Sequence, residues 1–184
     1  MSIIALWLPI LAAGVAVFVV SGILWMALPI HKPDIRMLPD QDAFDRAVSP
    51  LGLKPGLYMF PNCADAKAMK DESFQKRWAA GPWGTINVMG VQPNFARNLG
   101  LTFITFLVGS FLVAYLSTIA LAPGSDGHTV FRFTFTTALL GYALGGLPNA
   151  FFLGTPTRFI LTSTLDAALY ALTTALVFML LWPG

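Results

Sequence analysis

The sequence predicts an all-α membrane protein with four transmembrane helices and a small α+β segment between the first and second. Three observations predict it. Charged residues make up only 11% of the 184 residues, against roughly 25% in an ordinary soluble domain. Hydrophobic residues make up 56%, and mean hydropathy is +0.69. The charges are also crowded: nine of the eleven Lys and Arg, and seven of the nine Asp and Glu, fall between His31 and Arg97. That composition excludes a disordered chain and argues against a cytosolic enzyme. With acids interleaved among the bases and no dense basic run, nucleic acid is not a partner.

The first element is a helix over about 3–28, inside a charge-free run from 3 to 30. It could be a signal peptide, but the absence of a basic residue before it and the length of the apolar run favour a membrane span as the expectation. Three further runs supply helices at about 99–121, 129–148 and 158–182. Each run is long enough for the ~20 residues that cross a ~30 Å hydrocarbon core. Positive charge follows the first helix, so the positive-inside rule puts 31–97 in the cytoplasm and both termini outside. Arg132 dissents, near the outer end of the third helix. Trp7, Trp25 and Trp182 fall near helix ends, where indole rings favour the interface.

The 31–97 segment is too long for a plain connection. Asp40 caps a short helix carrying Phe44, Ala47, Val48 and Leu51. Strands are expected over 54–61 and 83–89, and a helix over 72–80 with Asp71 as its cap. The aromatic residues, with Trp78 and Trp83 among them, point to a cap that packs on the membrane surface or on a partner. Lys76 and Arg77 beside Trp78 suit anionic lipid headgroups.

Asp166 is the most informative residue. It lies about 10 Å along the last helix from Phe159, where a carboxylate is costly and needs a partner. Thr162, Asp166, Tyr170 and Thr173 form one polar stripe, and Arg158 lies about two turns before Asp166 on roughly that face. Two readings stay open: a proton or ion relay with Asp166 as carrier, or a structural hydrogen bond tying helices together. A pump or channel usually needs more than one buried ionisable group, and the spacing reveals one. The same helix carries Ser163, Ala167, Ala171 and Ala175 four apart, and the third ends in Gly141 and Gly145. Small residues at this spacing let backbones approach, so these helices should form a tight hairpin or serve association. Gly145–Asn149 ends the third helix, or else unwinds it.

The missing features matter as well. A single cysteine, Cys63, excludes an intramolecular disulfide and an all-cysteine metal site within one chain. His31 and His128 fall on opposite sides of the membrane in this topology and cannot share a haem or metal. There is no phosphate loop and no nucleophile elbow. The expectation is a non-catalytic protein with no cofactor and no metal. It works in the lipid bilayer by association, as an accessory subunit of a membrane complex or as a homo-oligomer. The alternative is a small proton- or ion-coupled transporter built on Asp166, Tyr170 and Arg158. A third reading is a lipid- or quinone-binding module that uses grooves between helices.

Two stretches, Leu53–Pro61 (LKPGLYMFP) and Ala80–Val88 (AGPWGTINV), together with the layout of one helix, a polar segment and three helices, resemble a group of small bacterial four-helix integral membrane proteins of similar length. That group has no assigned activity. The resemblance implies a bacterial inner-membrane location and carries over no site residue.

Overall fold

Where charge is absent the backbone must satisfy itself, and helices are the result. The computed structural model describes all 184 residues. Four helical stretches are long and apolar enough to cross a membrane: Ile3–Ala27, Phe95–Ala120, Gly127–Phe152 and Thr157–Leu180. The first is built from three pieces. Ser2 caps a 3₁₀ turn at Ile3–Leu6, α1 runs over Trp7–Gly22, and a π-turn over Ile23–Ala27 follows. Leu28 is extended (φ −94°, ψ 144°) because Pro29 excludes the helical region for the residue before it. The chain then makes a tight turn at Pro29–His31.

A polar segment separates this span from the next long helix. It contains α2 (Gln41–Val48), β1 (Gly56–Phe60), α3 (Glu72–Ala80) and β2 (Gly84–Val88). Helix α4 (Phe95–Ala120) starts at Asn94, whose Oδ1 accepts from Arg97 N–H at 2.9 Å. Helix α5 (Gly127–Leu139) starts at Asp126, which accepts from Thr129 N–H at 3.0 Å. Its ladder loosens into a π-turn at Leu140–Leu144, turns at Gly145 and Gly146, and resumes as the short α6 (Leu147–Phe152). The expected helix end at Gly145–Asn149 is thus a break between two helical pieces. Helix α7 (Thr157–Leu180) begins directly after Pro156.

The chain divides into two compact units. The first holds 1–35, 94–148 and 156–184. In it α7 packs along α5 and α1, and α1 packs along α4. One core layer gathers Leu6, Ala13, Val113, Ala114, Val130, Ala138, Ala171 and Phe178; the other gathers Val17, Leu24, Phe106 and Tyr170. Outward faces are apolar too, with Leu11, Val15, Val19, Ile104 and Val108 exposed, as expected of helices bathed in lipid. Trp182 Nε1 donates to Ala122 O at 3.2 Å, joining the C-terminal end of α7 to the loop after α4.

The small residues divide by role. Ala167, Ala171 and Ala175 are buried and Ser163 is half-buried on α7. Gly141 has no neighbour where its Cβ would stand, and Gly145 meets only the Gly141 carbonyl at 4.0 Å. Neither glycine brings two helices together. The close approach is at Gly14 instead, where a Cβ would lie 2.5 Å from Leu107 Cδ2 and 3.3 Å from its Cα. Gly14→Ala is therefore expected to force α1 from α4 and cost about 1–3 kcal/mol. Gly141→Ala is expected to leave stability unchanged or slightly raised. Denaturation of both variants in mixed micelles checks the contrast.

The second unit holds 36–93 and 149–155. It starts at Arg36, five residues past the start of the charged segment. Asp40 caps α2, accepting from Ala43 N–H at 2.8 Å. Strands β1 and β2 pair antiparallel, Leu57 opposite Asn87 and Phe60 opposite Gly84. A side chain at Gly84 would meet the Phe60 ring at 2.7 Å, so the ring packs over the glycine and would have to shift for a larger residue. Asp71 occupies the cap position of α3 but makes no side-chain capping bond. Gly81, at φ 70°, ends that helix.

Candidate functional site

The break at Pro29 decides the site. A continued helix would have carried His31 and Asp34 away from the other helices. The turn instead folds both into the helical unit, against the N-terminal half of α7. His31 and Asp166 are 5% and 4% exposed, and the Asp34 side chain is closed to solvent.

Both imidazole nitrogens of His31 meet carboxylates. Nδ1 lies 3.0 Å from Asp34 Oδ2. Nε2 lies 3.1 Å from Asp166 Oδ2 and 3.3 Å from Oδ1. The indole of Trp25 stacks on the imidazole, with centroids 3.9 Å apart and planes 3° from parallel. Its Nε1–H donates to Asp166 Oδ2 at 2.9 Å. From α7, Thr162 Oγ1–H donates to Asp34 Oδ2 at 2.7 Å. Arg158 donates to the Ile30 carbonyl at 2.7 Å, and its Nε stands 2.9 Å from Asp34 Oδ1. That last contact is an ion pair without hydrogen-bond alignment, which leaves Oδ1 a buried acceptor with spare capacity.

Two consequences follow from counting. A neutral imidazole carries one N–H, so two carboxylate bonds require one more proton in the trio, on the ring or on a carboxyl. With that proton, two negative carboxylates balance one imidazolium and one guanidinium. The cluster is electroneutral, as a low-dielectric site demands. Asp34 also shows which forces win. Burial, the largest single influence, raises its carboxyl. The Thr162 and His31 hydrogen bonds and the nearby Arg158 and His31 charges together outweigh burial, holding it below the ordinary 3.8.

The sequence-predicted residues fall as follows. Asp166, Thr162 and Arg158 are joined in the cluster. Tyr170 is buried one turn beyond, edge-on to Phe106 at 5.3 Å and Tyr142 at 5.8 Å. Thr173 turns its hydroxyl to the Leu169 carbonyl and takes no part. The expectation of a single buried ionisable group is corrected, because His31 and Asp34 join Asp166. Trp25, placed by sequence at an interface, gives its N–H to the carboxylate. The overlooked signal was local: Pro29 right after an apolar span, then His31 and Asp34 three apart.

Trp78, Trp83, Lys76 and Arg77 belong to the 36–93 unit. Lys76 pairs with Glu72 at 2.7 Å in full solvent. Trp83 Nε1–H donates to the Trp78 carbonyl at 2.7 Å. Both indoles stay exposed beside a 440 Å³ groove that Met59, Phe60 and Phe152 also line.

In the helical unit, two open apolar grooves run between helices. One, about 710 Å³, lies between α4 and the Phe18–Ala27 stretch and has Trp25 in its wall. The other, about 560 Å³, lies between α4 and the α5–π-turn stretch and is floored by Gly109 and Gly141. No group of three or more His, Cys, Asp or Glu is arranged to hold a metal ion. No protein-family model, curated protein or solved structure matches the chain.

Proposed function

We propose that this chain is a non-catalytic multi-pass membrane protein working as a small proton-coupled carrier, with the Asp34–His31–Asp166 trio as its proton site. One observation carries the reading: a buried imidazole with a carboxylate on each nitrogen, holding one proton whose loss leaves a net negative charge. Four helices can be held together by apolar packing alone. A buried ionic cluster is seldom more stable than a hydrophobic replacement, and ionisable groups at membrane depth mark pathways by default. The resemblance to small bacterial membrane proteins supports a bacterial inner membrane, and the charge pattern supports 31–97 in the cytoplasm with both termini outside. In vesicles holding a trapped pH dye, the protein is expected to carry protons against a counter-moving solute. Asp166→Asn is expected to abolish that flux while still inserting and eluting as a single species. If the variant loses only stability or yield, the trio is a brace and the carrier reading fails.

A second reading, association with partner subunits or with itself, is favoured by the groove floored by Gly109 and Gly141, whose small residues leave room for a helix of another chain. Gentle extraction followed by native gel and mass spectrometry tests it. A defined larger complex that Gly141→Leu dissolves would support it, and a lone monomer would remove it.

A further inference from the structure

The carrier reading leaves the counter-moving solute unnamed, and the charge balance of the cluster restricts it. Protonated, the cluster sums to zero. When the proton leaves, two carboxylates face one guanidinium and the site carries one uncompensated negative charge. The charged groups meeting His31 are Asp34 on its own segment and Asp166 on α7; Arg158 stands against Asp34, and Tyr170 neighbours Asp166. The end of α1 and the π-turn after it contribute Ser21 and Trp25, which carry no charge, and α4 makes no ion pair with the cluster. Only a monovalent cation restores neutrality.

The path to that charge has its own chemistry. The groove between α4 and the Phe18–Ala27 stretch has a volume of about 710 Å³, within the range of sites for drug-sized molecules. Phe18, Met26, Phe95 and Leu99 make it apolar, and Ser21 and Thr102 add two hydroxyls. Two hydroxyls, one of them already bonded to the Asn98 carbonyl, are too few to replace the water of an inorganic ion, so the body of the ligand must be apolar. Trp25 joins the groove to the charge: it stands in the groove wall, and its Nε1–H donates to Asp166 Oδ2. It sits in the Ile23–Ala27 π-turn, an irregularity common at functional sites. An indole face also attracts cations.

We infer that this groove takes a lipophilic organic cation, which displaces the trio's proton with Trp25 as the gate between them. The exchange balances: the N–H (or O–H) bond of the trio breaks, its proton goes to water, and the cation stands beside Asp166. The net charge stays zero throughout. This rests on the proton-site reading and adds the ligand to it.

The test uses the full-length protein in micelles, with tetraphenylphosphonium as probe and uncharged triphenylphosphine oxide as control. In weakly buffered solution, about one proton should be released per cation bound, and none by the neutral analogue. Asp166→Asn should abolish the release and weaken binding at least tenfold. Trp25→Ala should weaken binding similarly, whereas Lys32→Ala, on an exposed side chain, should change neither. Gel filtration and circular dichroism check that each variant is folded, and the wild-type proton count needs no variant. Equal binding of the neutral analogue would make the groove a seat for lipid tails only and would overturn the inference, as would cation binding without proton release. An infrared pH titration without any cation separates the two levels. Taken as the difference between wild type and Asp166→Asn and read over both the imidazole and the carboxyl bands, a titrating signal with no cation-driven release sinks this inference alone; a difference spectrum that never changes with pH sinks the proton site as well.

Discussion

Asp166→Leu is expected to destabilise the helical unit by about 3–5 kcal/mol, the usual cost of removing one partner from a buried ion pair. The change leaves Trp25 Nε1–H and His31 Nε2 facing a methyl group, and it leaves excess positive charge between Arg158 and His31. Each orphaned donor costs about 1–3 kcal/mol by itself, but the losses overlap because the groups form one network. Asp166→Asn keeps an oxygen for the indole N–H and is expected to cost less, about 1–3 kcal/mol. The informative variant is the double one, His31→Leu with Asp166→Leu. It removes both charges, so it should be more stable than Asp166→Leu alone. Unfolding in mixed micelles orders the three. If the double variant matches the wild type, the cluster adds nothing that apolar packing would not, and stability cannot be why it is there. If Asp166→Leu is itself as stable as the wild type, the network described here does not bind the helices.

The four long helices were legible in the sequence because lipid imposes a simple rule, a long run without charge. The observed stretches start and end within a few residues of the charge boundaries, and Phe95–Ala120 is extended at its start by the Asn94 cap. The caps and turns of the polar segment were legible for a similar reason, since Asp40 and Gly81 act on neighbours in sequence. The cluster was not legible. It joins His31 to Asp166 across 135 positions and Thr162 to Asp34 across 128, and no periodicity spans such distances. Counting charges assigned His31 to the water-exposed segment, whereas one proline turned the chain back before that segment began. The glycines misled in a related way. A GxxxG spacing promises close approach only on a regular helix, and Gly141 lies within a π-turn that disrupts the face. The glycine that does admit another helix, Gly14, stands in no such pattern.

The docked turn gives the most direct reading of the cluster at work, through acid. The carboxyl of Asp34 is held below its ordinary 3.8 in the folded state. A depressed carboxyl contributes stability that is fully present above the unfolded value and is lost as pH falls through the folded one. Acid release of the Pro29–Ile35 segment should therefore come only below pH 3.8. Thr162→Val removes the hydroxyl that donates to Oδ2, and Arg158→Leu removes the charge beside Oδ1. Burial persists in both variants and now acts with less opposition, so release should move to higher pH. Arg158→Lys keeps a positive charge but not the planar fork, and should fall between Arg158→Leu and the wild type. Hydrogen exchange reads the event locally. The Lys32 and Asp34 amides bond to the Pro29 and His31 carbonyls at 3.3 and 3.0 Å, and their protection factors should collapse together as the turn undocks. Acid release of the wild type above pH 3.8, or identical profiles for all four proteins, would mean that burial outweighs the partners of Asp34 and that the turn is held by packing alone.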